Sequence, residues 1–201
     1  MTIEVNAQQK LIAAIFWNNL PDVISAIENG ANVNGTDFGS GTTWEKPLLW
    51  AAFNQREEIT KYLIQEGAAV NVRLRDGRTP LHYAVLGQQS ELIAHLISKG
   101  AEINAQDIGG CTPLHLAAEK EGPAMVTLIE LGADQTIHNN AGKTAAELNH
   151  QRIQQVNAQA AVSGNTISPT FWTRLTANTG PLTPEEREEP SHHHYRSLAG
   201  G

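Results

Sequence analysis

Apolar positions in the middle of the chain repeat at helical spacing. Leu81, Ala84 and Val85 share one face of a short predicted helix. Leu92, Ile93, Leu96 and Ile97 do the same for a second helix immediately after it. Thr79 and Pro80 open the first helix, since a threonine hydroxyl caps a helix start and proline suits the first position, where no N–H partner is needed. Gly100, after Lys99, ends the second helix where a residue tolerant of positive φ is wanted. Small alanines in the first helix let the pair pack closely. Such a pair cannot bury its apolar face alone, so neighbours have to stack on it.

The pattern recurs. Pro47, Pro80 and Pro113 are each 33 residues apart. The aligned stretches are KPLLWAAFNQREEITKYLIQEGAAVN, TPLHYAVLGQQSELIAHLISKGAEIN and TPLHLAAEKEGPAMVTLIELGADQT. A fixed 33-residue period carrying T-P-L-H-x-A resembles the ankyrin repeat. Thr79–Ala84 and Thr112–Ala117 carry the motif in full, whereas Lys46–Ala51 lacks its threonine and histidine. The resemblance implies an all-α solenoid of about five helix-pair units with β-hairpin fingers between them. The units fall at about 7–37, 38–74, 75–107, 108–139 and 140–162, with the repeat domain at 1–162. LIAAIFWNNLPDVISAIENGANVN lacks TPLH and reads as the N-terminal cap, and NAGKTAAELNHQRIQQVNAQAA as the C-terminal half-repeat. Gly30 to Gly67 is 37 residues, so the finger around Asp37–Glu45 is enlarged; Gly100 to Gly132 is 32, a one-residue deletion near Glu121–Pro123. From Ser163 to Gly201 periodicity is lost and prolines and glycines accumulate, which reads as a flexible, disordered tail.

The resemblance implies function by protein binding, through fingertips and the exposed side of the first helices. Departures from the repeat pattern at those positions are therefore informative. VRLRDGR gathers Arg73, Arg75 and Arg78 on one finger of a chain whose formal net charge is −7. Alternate side chains of an extended finger share a side, so Arg73 and Arg75 are expected to project together as a cationic prong. The competing reading is a solvated patch balanced by Asp76 and nearby glutamates. Leu74 stands where the pattern usually has Asp. Phe16, Trp17 and Phe53 take exposed first-helix positions, and Phe38 and Trp44 lie in the enlarged finger. Trp50 is expected to be half-buried. Three of the four tryptophans and three of the four phenylalanines fall within the first 53 residues, a clustering typical of interfaces. Ile108 is a further candidate contact. Cys111, His138, Asn140, Lys143, Glu119 and Lys120 read better as an ordinary polar rim.

The acidic balance argues against general nucleic-acid binding. No run of about 18 apolar residues suggests a membrane span, and the N-terminus does not read as a signal peptide. The single Cys111 fits a reducing compartment, so a cytoplasmic protein is expected, monomeric by itself. NNAGKT resembles the end of a phosphate loop, but Ile137 stands where its first glycine belongs. His82 and His115 read as histidines that hold neighbouring turns, with no nucleophile paired to them. His192–His194 lack a second ligand set, so neither a metal nor a cofactor is expected. No catalytic constellation emerges, and the chain is read as non-enzymatic.

Its partner should carry an acidic patch beside an apolar groove, meeting an aromatic N-terminal concave face and the arginine finger. Two alternatives concern biological setting. Glu185, Glu186, Glu188 and Glu189 form a C-terminal block that resembles the signal of substrates of the Legionella-type type IV secretion system, which would make the chain an effector translocated into a host cytoplasm. The other alternative is a neutralising, immunity-type partner or a regulatory subunit of an enzyme. A latch by Phe171 and Trp172 on the chain's own aromatic face is a further possibility for the tail.

Overall fold

The computed structural model describes residues 6–35, 46–120 and 122–162. The chain divides into two compact units, 1–156 and 157–201. The second is described only for the end of its leading helix. Phe38, Trp44, the glutamate block and Phe171–Trp172 lie outside the described residues.

Nine helices are found among the described residues: α1 Ala7–Phe16, α2 Leu20–Glu28, α3 Pro47–Phe53, α4 Glu57–Gln65, α5 Pro80–Leu86, α6 Ser90–Ser98, α7 Pro113–Ala118, α8 Ala124–Glu130 and α9 Ala145–Val162. Four antiparallel pairs form units one to four, and α9 begins the fifth. The first helices α1, α3, α5 and α7 pack in one layer, and α2, α4, α6 and α8 in a second. This is the all-α repeat solenoid the period implies. The core runs through all pairs without a break. Leu11 and Ile15 lie in the first, Leu48 and Leu63 in the second, Leu81 and Leu96 in the third, Leu114 and Leu128 in the fourth.

Prolines sit in the first turn of α3, α5 and α7, as the motif predicts. In units three and four the threonine and histidine complete a capping box. Gly30, Gly67, Gly100 and Gly132 end the second helices at φ between 85° and 90°. A side chain at Gly100 would meet no neighbouring atom, so its requirement is purely one of backbone conformation. Beyond Gly67 and Gly100, an asparagine of the preceding unit grips the turn. Asn34 donates to Gly67 O (3.0 Å) and accepts from Ala69 N–H (2.8 Å), and Asn71 repeats this on Gly100 O and Glu102 N–H (both 2.9 Å).

The one-residue deletion is absorbed at the start of α8, where Pro123 takes the cap position and Gln88 Oε1 accepts from Ala124 N–H at 3.2 Å. Thr144 and Glu147 then cap α9 reciprocally. Arg152 reaches back from α9 to Ala118 O at 3.2 Å. The exposed side of α9 carries Glu147, His150, Gln151 and Gln154 together with Ala146 and Val156.

Candidate functional site: the first-helix face and its fingers

Each of the three described fingers is a tight turn closed by two backbone hydrogen bonds, and no strand occurs among the described residues. Leu74 N–H donates to Arg78 O and Gly77 N–H to Leu74 O, both at 2.9 Å. Asp107 with Cys111 and Gly110, and Asn139 with Lys143 and Gly142, repeat the arrangement. Consecutive fingers are joined by single backbone bonds, Ile108 N–H to Asp76 O and Asn140 N–H to Gly109 O, each 2.9 Å.

The TPLH histidines act as the sequence suggests. Thr79 N–H donates to His82 Nδ1 at 3.1 Å, which leaves the ring proton on Nε2, facing Cys111 O at 3.2 Å. His115 takes Thr112 N–H at 3.2 Å and faces Lys143 O at 3.0 Å. Each imidazole thus ties its own helix start to the next finger. Both are fully buried. Burial holds the His82 imidazole below its ordinary value, opposed by its bond to the Cys111 carbonyl and by the charge of Asp107.

The arginine finger has two differently furnished sides. Val72 and Leu74 pack with Leu49, Ala52, Tyr83 and Leu86 in a small second apolar cluster. Arg73 lies between them in sequence and turns to the following unit. It pairs with Glu102 at 2.8 Å and donates to Gln106 O at 2.9 Å and Gly77 O at 3.2 Å. Arg78 Nε lies 3.6 Å from Asp107 and 3.7 Å from Asp76. Two of the three arginines therefore help join this finger to the next one. Arg75 is exposed at the turn.

Cys111 belongs to the following finger and is partly buried. Desolvation, then the charge of Asp107, pushes its thiol up, away from the reactive thiolate. Ile108, at that finger's tip, is 73% exposed.

The aromatic residues come together along the first helices. Trp50 stacks on Phe53 with centroids 6.1 Å apart and planes 10° apart, and Tyr83 meets Phe53 edge-on at 5.4 Å. Phe16 and Trp17 form a separate edge-to-face pair at 5.0 Å. Phe53 is 42% exposed even with rings on both sides, and Phe16 and Trp17 are exposed as well. Trp50 is partly buried, as expected. Tyr83 stands one period after Trp50, a register visible in the sequence, but only the packing shows that it braces Phe53. In the repeat pattern Leu49 stands for a lost histidine and Leu74 for a lost acid, two unconnected departures. The structure places both in one cluster.

No grouping of three or more His, Cys, Asp or Glu side chains suited to a metal occurs among the described residues. None of the described helices is long and apolar enough to cross a membrane.

Stacked helix pairs joined by fingers, with aromatic side chains displayed on the first-helix layer, define a helical-repeat protein built for contact with other macromolecules. The family model described as ankyrin repeats (3 copies) matches residues 10–107, and that described as ankyrin repeat matches 109–140. The chain belongs to the ankyrin-repeat family, whose repeats are generic protein–protein interaction modules. No curated protein matches the chain.

Proposed function

We propose that the chain is a non-catalytic binding module whose contact surface is the aromatic side of the first two units. The observation that carries this is Phe53, braced by Trp50 and Tyr83 and still 42% exposed. Braced rings lose little conformational entropy on contact, and aromatic residues dominate interface energies. Phe16, Phe53 and Leu74 supply apolar contact, and Ile108 extends it. Arg75, exposed at the turn, supplies charge selection, and Arg73 and Arg78 add positive potential. The partner is a protein with an acidic patch beside an apolar groove. Cys111 as the single cysteine suits a reducing, cytoplasmic setting.

The test compares two baits, the full chain and a Phe16→Ala/Phe53→Ala/Arg75→Glu variant. Proteins held by the first and lost from the second support this surface. Equal capture by both baits overturns it. The glutamate block at Glu185, Glu186, Glu188 and Glu189 favours a second reading, a secreted effector that uses this surface on a host protein. A reporter fused to the last 30 residues and not translocated by a type IV system would remove that reading.

A further inference from the structure

The stack has two ends, and they are finished differently. At the far end α9 turns Glu147, His150, Gln151 and Gln154 outward around an open, polar hollow of about 620 Å³. At the near end α1 and α2 leave a notch of about 340 Å³. Its cause is legible in the repeat register. In the inner units the corresponding positions of the second helix hold larger side chains, Ile59, Tyr62 and Leu63 or Leu92, His95 and Leu96, of which all but His95 belong to the core. In α2 the same positions hold Asp22, Ser25 and Ala26. The floor is therefore small, with Ala13 of α1 facing Ala26 of α2.

Four side chains stand at the corners. The helices are antiparallel, so Lys10 and Asn29 share one end of the notch, and Trp17 and Asp22 the other. Lys10 and Asp22 are then diagonal to each other. Trp17 is 76% exposed, the most exposed of the large apolar side chains among the described residues. Asp22 is held in place by Asn19, whose amide donates to its carboxylate at 2.6 Å.

We propose that this end face binds a second copy of the chain about a two-fold axis, in place of the monomer expected from the sequence. The occupant follows from self-complementarity, since an isologous interface requires one patch to carry both halves of every contact. An axis along the Trp17–Asn29 diagonal sets Lys10 of each copy against Asp22 of the other. The same rotation brings the two Trp17 indoles together over the small-residue floor, which gives them room to lie flat. An acidic or basic foreign partner would satisfy one corner and oppose the other. The surface is separate from the Phe53 face, so binding of a foreign protein there and self-association at the end coexist.

Sedimentation equilibrium on the full chain tests this. The wild type is expected to show twice its 21.8 kDa mass as concentration rises. Lys10→Asp and Asp22→Lys each place like charges at both corner contacts and are expected at the single-chain mass. Mixed in equal amounts they regain both opposite pairs and return to the doubled mass. Trp17→Ser is expected at the single-chain mass, while Phe53→Ala keeps the doubled mass and loses only partner binding. Far-UV circular dichroism confirms that each variant is folded. A wild type that stays at the single-chain mass overturns the proposal. So does a doubled mass that survives Trp17→Ser, or a mixture of the charge variants that fails to pair.

Discussion

Units two and three solve one packing problem with opposite chemistry. Each must fix the start of its first helix against the finger that follows. Unit three does it with a buried histidine: His82 joins Thr79 N–H to Cys111 O, and Asp107 organises the receiving turn by accepting from Gly109 and Cys111 N–H at 2.8 and 2.9 Å. Unit four repeats this with His115, and Asn139 accepts from Ala141 and Lys143 N–H. Unit two has Leu49 in place of the histidine and Leu74 in place of the turn-forming acid or amide, and these two leucines pack in one cluster with Tyr83. A polar lock needs both partners, because a buried donor left alone costs more than the bond contributes. In unit two the receiving turn keeps an acceptor all the same, since Asp76 takes Arg78 N–H at 3.1 Å. What unit two gains is an apolar wall beside Phe53 and Trp50, where the proposed contact surface lies.

This comparison can be broken by experiment. The largest effect is expected at Leu49→Ala, which empties a fully buried site and should lower stability by about 2–5 kcal/mol in urea unfolding. A loss under 1 kcal/mol would mean that the apolar lock is not holding the finger. His115→Ala removes the acceptor of Thr112 N–H and the partner of Lys143 O, with an expected cost of about 1–3 kcal/mol. Hydrogen exchange at the Thr112 amide should quicken with it, and an unchanged amide would sink the polar-lock account.

The smallest effect separates the two chemistries by pH. The folded His82 imidazole is held below its ordinary value, so the unfolded chain takes up its proton first. The stability from neutral His82 is fully present above the unfolded pKa of about 6.5 and is lost as pH falls through the depressed folded value. His82→Leu, which copies unit two, should flatten the acid side of the urea midpoint against pH in that window. A profile identical to wild type would count against His82 as a contributor.

Much of the fold was legible in the residues. The 33-residue spacing of Pro47, Pro80 and Pro113 set the register. The glycines at 30, 67, 100 and 132 marked the helix ends, where they take positive φ. Thr79 with His82 and Thr112 with His115 announced their own bonds, because those contacts span three residues within one turn. The site was legible in part. Phe16, Trp17 and Phe53 were readable as exposed from the first-helix register, since a helix fixes which side a position takes.

The arginines show where such reading stops. Alternation alone predicted that Arg73 and Arg75 project together, but the direction of Arg73 is set by Glu102 and Gln106, 29 and 33 residues further on. Whether Leu74 faces solvent or Tyr83 depends likewise on how one unit seats on the next. Local periodicity and capping are short-range and written into neighbouring residues. The offset between stacked units is a property of the packed core, and it alone decided which charges found partners and which apolar side chains were left uncovered.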